Sequence, residues 1–171
     1  MFFWHIAGAI LLFRWIYRDP KVDIRYLALG ALLPNLIDKP LGTIIAPGLG
    51  SDRLIGHTLL FGSVIMVVAL LATRRGRRRR KLMAVAIGAL IHLVLDGMWT
   101  SGQTFLWPSL GFDFSPGVQP YWDGFFDREL NLATIVQEVA GLAYLGALWV
   151  IAGMNDPEKR RTFVETGRLA G

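Results

Sequence analysis

Three long apolar runs constrain the fold of this chain more than any other feature of its sequence. They occupy residues 54–72, 82–99 and 132–154, and few polar side chains interrupt them. A helix needs about 20 apolar residues to cross the hydrocarbon layer of a bilayer, which is about 30 Å thick. Each run has roughly this length. With 53% apolar residues and a mean hydropathy of +0.44, the chain is predicted to reside in lipid.

The first forty residues are predicted to add two further membrane helices. The helix near residues 2–17 carries His5 and Arg14, and the helix near residues 24–37 is short and contains Pro34. The predicted fold is therefore all-α, a multi-pass transmembrane bundle of about five membrane helices. These helices are expected near residues 2–17, 24–37, 54–73, 82–99 and 132–154. Residues 1–155 then form a single transmembrane helical domain, and residues 156–171 form a polar cytoplasmic tail.

A long connection, residues 100–131, is predicted to lie at the outer surface of the membrane. It is rich in Trp, Phe, Gly and Pro, and tryptophan and tyrosine favour the membrane–water interface. It is expected to act as an interfacial cap, with a lid over the site as the alternative. Its acids are expected to be solvated, with Asp123 or Asp127 as an additional metal ligand in the less favoured reading.

A basic loop sets the predicted orientation. Seven of the eight residues 74–81 are Arg or Lys, and short loops of this kind stay on the cytoplasmic side. In the inner membrane the N-terminus is then predicted outside and the C-terminus in the cytoplasm. Arg53 is an exception to the charge rule, because it is a basic residue on the outer side. A nucleic-acid partner is not favoured despite the net charge of +5, because the basic residues lie in connections that reach anionic lipid head groups.

All three histidines fall, with three acids, in one layer near the predicted outer surface. At 1.5 Å per helical residue the layer is about 10 Å deep. It contains His5, Asp38, His57, His92, Asp96 and Glu138. His92 and Asp96 are four residues apart and project from one helix face. Because ionisable groups in hydrocarbon are costly unless paired, hydrated or metal-bound, this layer is the predicted functional site.

Each of these residues also has an ordinary structural alternative. His92 and Asp96 could form a simple hydrogen-bonded pair, and His57 could be an interfacial histidine. Asp38 could be a solvated carboxylate paired with the lysine beside it. Glu138 could be a protonated glutamate that bonds across helices.

The absence of cysteine leaves imidazole and carboxylate as the strong metal ligands. We predict a divalent metal, zinc first, with manganese or another divalent ion as the alternative. Six candidate ligands exceed the need of one zinc. The surplus either orients the imidazoles or binds a second ion about 3.5–4 Å away. Asp96 and Glu138 are the predicted catalytic groups, as general base or bridging ligand.

Three segments resemble the membrane-bound metal-dependent hydrolase family, of the LexA-binding, inner-membrane-associated type. They are residues 30–42 (GALLPNLIDKPLG), 56–62 (GHTLLFG) and 92–108 (HLVLDGMWTSGQTFLWP). The residues that match the family pattern are His5, Asp38, His57, His92, Asp96, Thr100, Gly102, Trp107 and Pro108. Asn35 stands where the pattern has aspartate. The resemblance implies a metal site, with one negative charge fewer than usual.

Two main functions remain open from the sequence. The first is a metal-dependent hydrolase that uses metal-activated water on an ester or phosphoester of a lipid-like substrate. The second is a transporter or proton-coupled carrier that uses the same cluster, which would require polar residues to continue towards the cytoplasm beyond Arg14. A scaffold that binds a cytoplasmic partner through the basic loop is a third. Membrane lipids are expected partners in all three, and the oligomeric state is left open.

Overall fold

The computed structural model describes residues 1–46, 51–116 and 130–169, and regular structure in these ranges is entirely helical. The α-helices found there are α1 (Phe3–Ile16), α2 (Ile24–Pro40), α3 (Leu59–Ala72), α4 (Arg77–Leu95), α5 (Gly102–Phe105), α6 (Leu132–Ile151) and α7 (Pro157–Thr166). A π-helical turn, Leu41–Ile45, follows α2. Two 3-10 turns, Ile55–His57 and Met98–Thr100, precede α3 and α5. The predicted all-α fold class is confirmed for the described residues.

Polar side chains fix where four of the helices begin. Asp23, Thr58, Asn131 and Asp156 each accept a hydrogen bond from a backbone N–H two or three residues ahead. Such caps stabilise a helix by about 1 kcal/mol. The cap at Thr58 explains why α3 begins at Leu59, later than the apolar run that predicted it.

Helices α2 and α4 form the central pair of the fold. Glycines permit their close approach: a Cβ at Gly30 would lie 2.1 Å from the carbonyl oxygen of Val85, and a Cβ at Gly88 would lie 2.3 Å from that of Leu27. Helix α1 packs on α2 and on α6, where Gly141 meets the backbone of Phe3 in the same way. Small residues at such contacts are typical of helix packing in membranes.

The apolar residues do not all face inward. Leu71 and Ile151 are 83% and 80% exposed, and every long helix carries exposed aliphatic or aromatic side chains. Among the described residues, Leu132–Ile151 is long and apolar enough to cross a membrane, and only 17% of its most apolar window is buried. Helices α1 and α3 are apolar but have 14 residues each. The bundle of about five membrane helices therefore remains a prediction.

The polar tail folds back onto the start of α2. Ile24 N donates to the carbonyl oxygen of Gly167 at 2.9 Å, and the Arg25 guanidinium donates to that of Val164 at 2.6 Å. Arg25 also forms a two-pronged ion pair with Asp23. Although burial alone raises the pKa of the Asp23 carboxyl, Arg25 keeps that pKa below its usual range. Helix α7 is thus anchored, whereas the sequence predicted only a polar extension.

The predicted interfacial connection is described as far as residue 116. Trp107 stacks on Phe114 with ring centroids 5.6 Å apart, and Trp99 is 61% exposed. The predictions for Asp123 and Asp127 lie outside the described residues.

Alanine at Gly88 is expected to destabilise the protein. Overpacking against the α2 backbone costs about 1–3 kcal/mol, which exceeds the gain of about 1 kcal/mol in helix propensity. The matched control is Gly146→Ala, because a Cβ at Gly146 meets nothing within 4 Å. Circular dichroism of thermal unfolding in detergent should show a lower melting temperature for Gly88→Ala than for the wild type. The control should show no decrease. Equal melting temperatures would contradict the close α2–α4 contact.

Candidate metal centre

Three imidazole rings from three segments meet around one carboxylate, and we call His5, His57, His92 and Asp96 the histidine cluster. The rings are at most 1% exposed. His5 Nε2 lies 2.8 Å from Asp96 Oδ1, while Nε2 of His57 and of His92 lie 3.6 and 3.7 Å from Asp96 Oδ2. The Nε2 atoms of His57 and His92 are 3.2 Å apart. One ring nitrogen from each histidine therefore faces a shared centre.

The other nitrogen of two rings is held by a backbone carbonyl. His5 Nδ1 donates to the oxygen of Met1 at 3.0 Å, and His92 Nδ1 donates to the oxygen of Ala31 at 2.7 Å. A carbonyl oxygen can only accept, so Nδ1 carries the proton in both rings. His92 Nε2 is left with a lone pair, whereas His5 Nε2 lies within hydrogen-bond distance of the carboxylate of Asp96. The rings of His5 and His92 are stacked, with centroids 4.1 Å apart.

Asp38 gives His57 the same orientation through a buried carboxylate. Its Oδ2 accepts from His57 Nδ1 at 2.7 Å, and also from the backbone N–H groups of Leu54 and His57. Its Oδ1 accepts from Gly56 N at 2.8 Å. Both oxygens face protein donors. In this geometry Asp38 orients a histidine, and its predicted role as a metal ligand stays a prediction.

These contacts leave two hydrogen-bond acceptors facing each other at the centre of the cluster. With Nδ1 protonated, the Nε2 lone pairs of His57 and His92 face each other at 3.2 Å, and two acceptors at that distance repel unless a proton or a cation lies between them. Metal-bound histidines commonly donate their second nitrogen to a carbonyl or carboxylate in this way. The cluster has the outer hydrogen bonds of a metal site.

The dimensions of the cluster fit a small divalent ion. Zinc binds imidazole nitrogen at about 2.0–2.1 Å in a tetrahedron, so neighbouring ligand atoms lie roughly 3.3 Å apart. Four separations, those of the three Nε2 atoms from the Asp96 oxygens and that between His57 Nε2 and His92 Nε2, run from 2.8 to 3.7 Å. Ligand atoms of His5, His92 and Asp96 all lie within 4.8 Å of one another. Three imidazoles and one carboxylate are a donor set suited to zinc or manganese.

Glu138 has a different place from the predicted one. Its carboxylate accepts hydrogen bonds from the backbone N–H groups of Phe2 and Phe3, the latter at 2.9 Å. Among the described residues, the closely spaced metal-ligand atoms do not include those of Glu138. It caps the start of α1, the helix that carries His5, and so supports the cluster from outside. Its roles as catalytic group and metal ligand stay predictions.

Sequence reasoning missed Arg53, which it treated only as an exception to the charge rule. The guanidinium lies 3.5 Å from Asp96 Oδ2 and is 43% exposed. A single charged residue four positions before His57 was the available indication. Asn35, noted as a departure from the family pattern, lines the cavity beside Asp96.

A polar cavity of about 220 Å³ connects the histidine cluster with the surface. It is lined by Met1, His5, Asn35, Lys39, Asp52, Arg53, Asp96, Asn131 and Thr134. His57 and His92 lie behind Asp96 and His5. A small molecule in this cavity would therefore approach the cluster from the side of Asp96.

Asp38→Asn is expected to weaken both the fold and the cluster. It replaces an ionised acceptor of four hydrogen bonds by an amide whose nitrogen would face a donor, and hydrogen bonds to charged groups contribute about 1.5–3 kcal/mol each. Loss of such an outer-shell partner lowers metal affinity about 10–100-fold. Chelator competition for zinc measures the second effect. The matched control is Asp19→Asn, since Asp19 accepts only an exposed bond from Lys21 N. Unchanged zinc affinity in Asp38→Asn would contradict its orienting role.

Comparison with known proteins places the chain in a family. A family model described as YdjM inner membrane protein matches residues 1–157 of the 171. No curated protein and no solved structure matches significantly. The match confirms the predicted association with the inner membrane. It does not extend to the LexA-binding or hydrolase type, which remain predictions. This chain belongs to the YdjM inner membrane protein family.

Proposed function

We propose that this protein is a membrane-embedded hydrolase that depends on one divalent metal ion, zinc being the first candidate. The observation that carries the proposal is the set of three buried imidazoles whose Nδ1 atoms are held by acceptors while their Nε2 atoms face Asp96. His5, His57, His92 and Asp96 would hold the ion. One ion suffices, because the oxygens of Asp38 and Glu138 accept hydrogen bonds from protein donors.

A bound divalent ion would supply a Lewis acid and would bind, in addition to the four side chains, a water of lowered pKa. Asp96 both belongs to the cluster and lines the polar cavity, so it is the candidate base for that water. In the reaction the water oxygen bonds to the acyl carbon or phosphorus, and the bond to the leaving oxygen breaks. The proton taken up by Asp96 passes to the leaving oxygen. Arg53 beside Asp96 supplies positive charge for the developing oxyanion.

The proposed multi-pass topology places the site near the outer face. Arg77–Leu95 begins with four arginines and carries His92 near its other end, so the histidine cluster and the basic loop lie at opposite ends of α4. With the basic loop in the cytoplasm, the N-terminus is outside and the cavity opens away from the cytoplasm. The exposed apolar faces of the helices would contact lipid.

The carrier alternative receives less support from the interior of the bundle. Below the histidines, α1, α2 and α4 pack through apolar side chains that include Ile10, Phe13, Leu27 and Ala84. A proton or ion pathway across the membrane is normally marked by polar or ionisable side chains. The polar cavity is thus one-sided, as a substrate pocket would be.

Elemental analysis of the purified protein tests the metal proposal. After incubation with zinc and gel filtration, the wild type should retain about one equivalent, because four ligands are already in place. His92→Ala should retain less than about 0.2 equivalents, since zinc would lose an imidazole ligand. Glu138→Gln is the matched control and should retain zinc, because its side chain holds the start of α1. Stoichiometric zinc in His92→Ala, or none in the wild type, would contradict the proposal.

Single cysteines test the proposed topology. The chain has no native cysteine, and both Ser109 and Thr162 are exposed. A membrane-impermeant maleimide applied to intact spheroplasts should label Ser109→Cys, while Thr162→Cys should react only after permeabilisation, since the basic loop holds its end of the bundle inside. The reverse pattern would invert the topology, and labelling of both would exclude it.

A further inference from the structure

A second cavity adjoins the polar one. Its volume is about 370 Å³, and Phe2, Leu32 and Leu36 form its apolar wall, with Glu138 at its margin. The two cavities share three lining residues, Met1, Asn35 and Lys39. The two cavities therefore lie on either side of these three residues, the polar one beside Asp96 and the apolar one beside Phe2 and Leu36.

The apolar cavity opens where the proposed membrane would be. Leu36 is 59% exposed and Phe2 is 51% exposed, so these side chains would face lipid chains in the outer leaflet. The carboxylate of Glu138 is directed to the N–H groups at the start of α1, which leaves the aliphatic residues to form the wall. An apolar chain could enter this cavity from the bilayer without crossing water.

The polar cavity has the opposite character. Lys39 and Arg53 balance the carboxylates of Asp52 and Asp96, so the divalent ion proposed above would give the cavity a net positive charge. The planar guanidinium of an arginine matches the oxygens of a phosphate, to which it can donate two parallel hydrogen bonds. An anionic phosphate group suits this polar cavity.

The position of Arg53 is fixed by its neighbours in sequence. Ser51 is 1% exposed, and its hydroxyl bridges the backbone N–H and carbonyl of Arg53 at 3.2 and 3.0 Å. The next residue, Leu54, donates its N–H to Asp38 at 2.7 Å. A Cβ at Gly42 would lie 2.2 Å from the carbonyl oxygen of Ser51, so the segment also packs closely on the turn after α2. The backbone of Arg53 is therefore held by a built loop, and its guanidinium lies 3.5 Å from Asp96 Oδ2.

We infer that the substrate is a membrane amphiphile with a phosphate ester head group and an apolar chain. The inference rests on the proposed hydrolase function and names its substrate class. Arg53 binds the phosphate beside Asp96, and the chain occupies the cavity lined by Leu36. In hydrolysis the water oxygen bonds to phosphorus, the phosphorus–oxygen bond to the alcohol breaks, and that alcohol oxygen takes the proton.

Binding of phosphonates tests this assignment without turnover, because the carbon–phosphorus bond resists hydrolysis. Octylphosphonate and methylphosphonate are titrated calorimetrically into zinc-loaded protein at one fixed concentration of a neutral detergent. Octylphosphonate should bind at least about tenfold more tightly than methylphosphonate, since burial of each additional methylene in an apolar cavity is favourable. Arg53→Ala should weaken both ligands about tenfold or more, and Arg53→Lys should weaken them less. Arg160→Ala, on the exposed face of α7, is the matched control and should change neither.

Leu36→Trp tests the two cavities separately. It should weaken octylphosphonate and leave methylphosphonate unchanged, because it fills only the apolar cavity. Equal affinity of the two phosphonates would assign a free phosphate ester as substrate and overturn the inference. Unchanged phosphonate binding to Arg53→Ala would also overturn the inference. Loss of zinc from that variant would overturn it as well, because Arg53 would then support Asp96 and not bind the phosphate. If the wild type retains zinc but neither phosphonate shows the expected affinity, the substrate inference fails and the hydrolase proposal is unaffected. Phosphonate binding without any zinc site would refute that proposal instead.

Discussion

The placement of protons on three imidazole rings governs the rest of the site. Carbonyl oxygens of Met1 and Ala31 and the carboxylate of Asp38 hold the Nδ1 atoms, and the three Nε2 atoms lie 2.8–3.7 Å from the carboxylate of Asp96. The arrangement requires α1, α2, α4 and the turn before α3 to pack in one way. The glycine contact between α2 and α4 brings the Ala31 carbonyl to His92, so helix packing and cluster geometry depend on each other.

In a lipid environment, burying such ionisable side chains would cost free energy unless they had partners. Buried ionisable groups in hydrocarbon are stable when paired or metal-bound, and the cluster supplies mutual partners for all of its members. A polar cavity on one side and apolar packing on the other would limit access to the proposed outer end of the bundle. The basic start of α4 lies at the far end, where anionic head groups of the cytoplasmic leaflet would hold it. Membership in an inner membrane protein family supports the membrane location itself.

Side-chain patterns predicted part of the site and none of its backbone contacts. Apolar runs indicated the helices, and the spacing of His92 and Asp96 placed two members of the cluster on one face. The roles of Asp38 and Glu138 were predicted differently, because their partners are backbone N–H groups of Leu54, Gly56, Phe2 and Phe3. Every residue except proline has a backbone N–H, so the pattern of residue types does not predict which of them will donate to these carboxylates. The docking of α7 on Arg25 and the reach of Arg53 to Asp96 likewise depend on tertiary packing between segments distant in sequence.

X-ray absorption spectroscopy of the zinc-loaded protein addresses the central claim most directly. Three imidazoles and Asp96 predict a first shell of about four nitrogen or oxygen atoms near 2.0–2.1 Å, with outer-shell scattering from about three imidazole rings. A spectrum with oxygen ligands alone, or with scattering from fewer than two imidazoles, would contradict a shared metal centre at the histidine cluster.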